Sequence, residues 1–314
     1  MRAVVQTDKS RACGVFRTSS PGFRTRGGLA ALALAALASS GCAQDASQGR
    51  GAAGGQPLQA PPARALDAYA SELRAAQAAR VAAAERWKLK KVPLTAPPPP
   101  EKKPEIKARE GFEVDGQENL PPVFTSIPTK EKIVFLTIDD GAEKDPAFLR
   151  MMSELKIPYT AFISDYLAKE DYGYFGRMQD RGVTLNNHTL HHPYLPGLSY
   201  AGQKREICGM QDVIEERYGE RPTLFRPPYG NYNRDTLRAA KACGIEYAPI
   251  WNAEVFADHW DYREWDREIH PGDIVLTHFR GEDDWGGTMR DMAREFLDKV
   301  TAEGYAVARL EDYL

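Results

Sequence analysis

The chain has 314 residues, 42% of them hydrophobic, with 26 Gly and 22 Pro unevenly spread. That length holds one large domain with accessories, or two domains. The net charge of −3 leaves no basic surplus of the kind nucleic-acid binding needs, so no nucleic-acid partner is expected.

At the N-terminus, Arg2, Lys9, Arg11, Arg17, Arg24 and Arg26 stand against the single acid Asp8 within residues 1–28. An apolar run follows from Leu29 to Ala38, and then Ser39-Ser40-Gly41-Cys42. Positive, apolar and small residues in that order make a secretory signal. The run is far short of the roughly 20 residues that cross a bilayer. Cys42 ends a stretch similar to a bacterial lipobox, with Ser39 where that motif usually has Leu. Residues 1–42 are therefore expected to be a signal peptide, and Cys42 to be lipidated and to attach the protein to a membrane. Cleavage by an ordinary signal peptidase, giving a secreted protein, is the alternative. Of the other cysteines, Cys13 lies in the removed segment, leaving Cys208 and Cys243. An oxidising compartment permits them to pair. No rule of spacing joins them, however, so two buried free thiols are the expectation.

Residues 43–111 form a linker. Its first part, 43–64, is Ala, Gly, Gln and Pro with little to bury, a flexible tether. Over 65–91, Leu66, Tyr69, Leu73 and Trp87 recur with approximate helical spacing, which predicts a helix with a thin apolar stripe. Pro93, Pro97 to Pro100 and Pro104 then make a stiff polyproline spacer. A core is expected to begin near Phe112, so 112–314 is the catalytic domain.

Within it, strands and helices alternate. Strands are predicted at Ile133–Ile138, Tyr159–Ile163, Val183–Leu185, Leu224–Phe225, Glu246–Ile250, Ile274–Thr277 and Tyr305–Arg309. Helices are predicted at Ala147–Leu155, Tyr172–Asp180, Tyr200–Tyr218, Asp235–Cys243 and Thr288–Ala302. Such alternation implies an α/β fold with a mostly parallel sheet or barrel.

The chemistry-bearing residues fall where these strands end. Asp139 and Asp140 close one strand, His188 and His192 follow another, Arg226 a third, and His278 ends a fourth. In parallel α/β folds the C-terminal strand ends converge on the site. His188 and His192, at i and i+4, can face one point if their loop takes a helical turn. With one carboxylate they make three ligands, the number a catalytic divalent metal keeps. Of the Asp pair, one then binds metal and the other serves as a base. Each signal taken alone has a plainer explanation: a turn for the Asp-Asp-Gly, a solvated face for the histidines, a core histidine for His278.

Together, residues 130 to 312 resemble the polysaccharide deacetylase domain of carbohydrate esterase family 4, the NodB-like homology domain. Leu136-Thr137-Ile138-Asp139-Asp140-Gly141 is similar to its TFDDG motif, with Ile138 in place of Phe. His188-Thr189-Leu190-His191-His192 contains its H-[ST]-x-x-H motif, Arg226-Pro227-Pro228-Tyr229 its R-x-P-Y motif, and Leu276-Thr277-His278 its L-x-H motif. The resemblance implies a distorted (β/α) barrel with fewer than eight full units. It implies Asp139 as general base, Asp140, His188 and His192 as metal ligands, and Arg226 as the residue orienting the base. It also implies the Tyr229 backbone N–H as an oxyanion donor and His278 as general acid. The metal implied is zinc, with cobalt or manganese compatible with the same ligands. A metal-activated water would remove N- or O-linked acetyl groups from a polysaccharide such as peptidoglycan, chitin or acetylated xylan, in a monomeric enzyme. Two other readings are a non-catalytic glycan-binding module of the same fold and a hydrolase of small amides or cyclic imides.

The family's D-x-x-D-W-like motif, whose carboxylate orients the acid, is altered. The corresponding stretch runs from Trp251 to Trp260 and offers Glu254 or Asp258. Asp258 is favoured, because it precedes Trp260 much as the family's Asp precedes Trp.

Overall fold

The computed structural model describes residues 63–114 and 119–314. The expected signal peptide, Cys42 and nearly all of the tether lie outside the described residues.

The centre of the fold is β3 (Ile133–Asp140), whose eight residues are all buried. Apolar side chains on both faces are the mark of a parallel strand covered on each side. β9 (Ile274–His278) runs parallel along one edge, with Asp139 opposite His278. β4 (Thr160–Ile163) runs parallel along the other, with Asp140 opposite Ile163. β5 (Thr184–Asn187) continues outward, Ile163 opposite Asn187. A further parallel bridge joins Asn187 to Phe225, and another joins Leu224 to Tyr247. On the far side β7 (Ala253–Val255) pairs parallel with β9, and β8 (Trp260–Tyr262) turns back antiparallel on β7. β1 (Leu94–Thr95) and β10 (Ala306–Val307) add to the start of β3. β2 (Val123–Phe124) and β6 (Ala248–Pro249) form a separate parallel pair. The ladder curves through strands of two to eight residues without becoming a regular cylinder, the distorted (β/α) barrel expected.

Helices cover the outside and start and stop where the sequence provides caps. α2 (Pro146–Leu155) opens with Asp145 accepting from the Ala147 N–H and Pro146 in the first turn. It buries Phe148, Leu149, Met151, Met152 and Leu155. α3 (Asp165–Ala168) and α4 (Tyr172–Gln179) follow β4. α5 (Tyr200–Tyr218) begins at Ser199 and ends at Gly219 in the left-handed conformation. α6 (Arg234–Ala242) carries a reciprocal Asn233–Thr236 cap, and α8 (Met289–Ala302) a Thr288–Asp291 cap, after the short α7 (Glu282–Trp285). The turn at Pro271-Gly272 that leads into β9 needs its glycine: Gly272 has φ +84, and a Cβ there would sit 2.0 Å from the Ile127 carbonyl oxygen.

The folded region starts earlier than Phe112. α1 (Ala63–Arg86) leads into Trp87, which is buried with Ala83 and Ala84 in the main core. The Trp87 indole N–H donates to Glu154 at 2.7 Å. The proline-rich segment lies along the domain: Leu94 pairs with Ala306, and Lys103 donates to the Glu311 carbonyl. Among the described residues no helix is long and apolar enough to cross a membrane.

The expectation of two free thiols is corrected. Cys208 on α5 and Cys243 at the end of α6 form a disulfide, because the two helices pack side by side with the Cα atoms 5.0 Å apart. Closing a loop across 35 residues contributes about 3–4 kcal/mol on chain-entropy reasoning.

Candidate metal centre and active site

The strand register sets the site. Asp140, Ile163, Asn187 and Phe225 occupy one layer across adjacent strands. One residue beyond that layer come His188 and Arg226, and His278 stands against Asp139. Residues far apart in sequence thus meet at the C-terminal rim.

Asp139 and Asp140 are both 2% exposed, and leaving water must be compensated for each. Arg226, fully buried, donates from Nη1 to Asp139 Oδ1 at 2.8 Å and from Nε to the Pro249 carbonyl at 2.9 Å. Burial pushes the Asp139 pKa up; Arg226 and His278 act against it, yet the net direction is upward. A carboxylate of that kind is a stronger proton acceptor than one at the surface.

Asp140 is arranged differently. Burial would raise its pKa too, but His278, His188, His192 and Arg280 outweigh it, and the net direction is downward. Its Oδ2 accepts from Arg280 Nη2 at 2.6 Å. Its Oδ1 is buried and has no hydrogen-bond partner. That orphaned oxygen lies 3.4 Å from His192 Nε2 and 3.7 Å from His188 Nε2. All three donor atoms fall within 4.8 Å of one another. Donors bound tetrahedrally at about 2.1 Å stand about 3.4 Å apart, close to the two separations from Asp140 Oδ1, so these three groups could hold a divalent cation by drawing in slightly. His188 Nδ1 is bonded to the Arg226 carbonyl at 2.7 Å, which leaves Nε2 free to ligate. Burial holds both imidazoles neutral, with pKa values lowered to about 4. Neutral imidazole is the ligating form.

The histidines do not converge through a helical turn as the i, i+4 spacing suggested. Thr189 (φ 72) and His192 (φ 55) instead adopt left-handed backbone conformations. The loop is held by Thr189 N–H to Asn187 Oδ1 at 2.9 Å, His192 N–H to Thr189 Oγ1 at 3.0 Å, and Ser164 Oγ to the His188 carbonyl at 2.7 Å. His191, the intervening imidazole, turns outward to Glu206. Asp140 (φ 79) and Tyr229 (φ 62) share the left-handed conformation. Each such non-glycine residue costs of order 1–3 kcal/mol, and such strain gathers at functional sites. Gly141 (φ +105) follows Asp140 where an added Cβ would meet the Phe175 ring at 3.0 Å, so the Asp-Asp-Gly turn needs its glycine. The Tyr229 ring lies 4.6 Å from that of His192 and is 56% exposed, at the mouth of the site.

His278 is partnered by Glu254, whose Oε1 lies 3.2 Å from His278 Nδ1. The preference for Asp258 is therefore corrected. β7 ends at Val255, and the turn into β8 carries Asp258 out to solvent, where it accepts from its neighbour His259 at 2.6 Å. Burial alone would lower the His278 pKa; the Glu254 hydrogen bond and charge, with Asp140 and Asp139, reverse this, and the net direction is upward. With Nδ1 taken by Glu254, Nε2 is the ring nitrogen left to act as a donor. Arg280 is the residue that sequence patterns did not single out; its place two positions beyond His278 was the available signal.

Comparison with known proteins follows the same outline. The sequence profile described as polysaccharide deacetylase matches residues 126–248. A Streptomyces coelicolor protein described only as uncharacterized is 41% identical over 203 residues, covering 64% of this chain and 81% of the relative. The Bacillus subtilis peptidoglycan-N-acetylmuramic acid deacetylase PdaA is 26% identical over 201 residues, covering 59% and 73%. Among solved structures, a family 4 carbohydrate esterase from Bacillus anthracis is similar with a TM-score of 0.51 and 27% identity, over 63% of this chain and 88% of that one.

Proposed function

The chain belongs to the polysaccharide deacetylase family, and we propose that it removes N-acetyl groups from peptidoglycan with a divalent metal, zinc by default, held by Asp140, His188 and His192. The observation that carries this reading is the orphaned, buried Asp140 Oδ1 facing two neutral imidazoles. A buried carboxylate oxygen that faces two neutral imidazoles has its desolvation left uncompensated unless a cation lies between them. A cation bound there supplies acidification of water and polarisation of an acyl oxygen.

The chain's own groups do the rest. Asp139, kept oriented by Arg226, accepts the proton of the attacking water. The Tyr229 backbone N–H donates to the oxygen that gains charge as the acetyl carbon becomes tetrahedral. His278 Nε2 gives its proton to the departing sugar nitrogen while Glu254 holds Nδ1, and the C–N bond breaks to leave acetate and a free amine. Two carboxylates of unlike environment thus take two roles, one as acceptor and one as ligand.

Peptidoglycan is favoured on two grounds. The export-type N-terminus and the Cys208–Cys243 disulfide suit a protein working in the oxidising cell envelope. A relative is also named a peptidoglycan deacetylase. The test is acetate released by the zinc-loaded protein from peptidoglycan, chitin oligomers and acetylated xylan. Fastest release from peptidoglycan is expected; release only from xylan would overturn the substrate, and none from any polymer the activity.

A further inference from the structure

We infer that Arg280 is a positioning residue for the metal centre, fixing Asp140 so that it ligates through one oxygen. The inference rests on the reading that Asp140 is a ligand. The two oxygens of this carboxylate have been given separate work. Oδ2 takes the charge-assisted bond from Arg280 Nη2 at 2.6 Å, and Oδ1 is the orphaned atom between His188 and His192. The bond to Oδ2 opposes rotation of the carboxylate towards chelation by both oxygens, and it keeps the lone pairs of Oδ1 turned to the imidazoles.

The chain delivers Arg280 to this place by a crossing beyond the ends of β3 and β9. The Phe279 N–H donates to the Asp139 carbonyl at 3.0 Å, the Glu143 N–H donates to the Phe279 carbonyl at 2.9 Å, and the Arg280 N–H donates to the His278 carbonyl at 3.0 Å. On its other side, Arg280 Nη1 lies 3.8 Å from Asp284 on α7. The guanidinium is thus braced by a buried and an exposed carboxylate while its side chain stays one-third exposed. At the rim and one-third exposed, it is a side chain whose replacement is expected to leave the barrel's packing in place.

Arg280 has two opposed effects on a cation at the centre. It orients the ligand, which favours binding, and it adds a like charge, which disfavours it. Oriented partners of metal ligands are typically worth about 10–100-fold in affinity. The Arg280 charge is already balanced by Asp140 and Asp284, so orientation should win. The test is the Zn²⁺ affinity of full-length, metal-stripped protein, by competition with a chromogenic chelator at neutral pH and without substrate. Arg280→Met should bind Zn²⁺ about 10–100-fold more weakly than wild type, and Arg280→Lys should recover part of the loss. Equal or tighter binding by Arg280→Met would overturn the inference; should that variant not fold, Arg280→Gln is read in the same way. Asp140→Asn is the control: wild-type affinity there would overturn the ligand assignment itself, whichever way the Arg280 variants behave.

Discussion

Asp139→Asn is expected to keep its metal and lose nearly all turnover. The amide has the shape of the carboxylate, and its oxygen can still accept the 2.8 Å bond from Arg226, so the buried pair need not repack. Asp139 contributes no atom to the three-donor cluster, and metal content should be unchanged. What disappears is the proton acceptor, in a position where burial has raised its basicity. General-base catalysis contributes about 10²–10⁴-fold, and a loss in that range is expected in acetate release. Activity within a few-fold of wild type would remove Asp139 from the base role.

His278→Ala should fail at the other end of the reaction. It too should retain metal, since the imidazole lies outside the three-donor set, and lose about 10²–10⁴-fold in turnover. The pH dependence then identifies its partner. As the proposed acid, His278 must be protonated to act, and its pKa is raised because the Glu254 hydrogen bond and charge overcome burial. Activity is accordingly present below that raised pKa and falls as pH climbs through it. Glu254→Gln removes the stabilising charge, the acid loses its proton at lower pH, and the alkaline limb of the rate profile should move down. Asp258→Asn, at the exposed turn against His259, should leave that limb where it is. A shift with Asp258→Asn and none with Glu254→Gln would reverse the assignment.

Much of this site was legible because its residues sit at strand ends. The apolar run Ile133–Ile138 announces a strand by composition alone, and a polar pair directly after a buried strand has to be compensated somewhere. The H-x-x-x-H spacing selected His188 and His192 over His191, although the loop reaches its geometry through left-handed residues at Thr189 and His192 rather than a helical turn. What spacing could not convey is register between strands remote in sequence. Glu254 beats Asp258 because β7 aligns Glu254 with Leu276, two residues before His278, while the turn into β8 carries Asp258 away. The Cys208–Cys243 disulfide likewise follows from how α5 packs on α6, and Arg280 reaches Asp140 through the crossing after β9. Trp87 looked like one more member of a thin apolar stripe; only the position of α2, with Glu154 to receive its N–H, explains its burial.

The most direct measurement is the metal content of purified Asp140→Ala, His188→Ala and His192→Ala beside wild type. Three protein ligands leave no redundancy, so losing one leaves two. One equivalent of metal in the wild type, with sharp loss in each of the three variants, is the predicted result. Full occupancy in any one of them would contradict the centre described here, and with it the reaction built upon it.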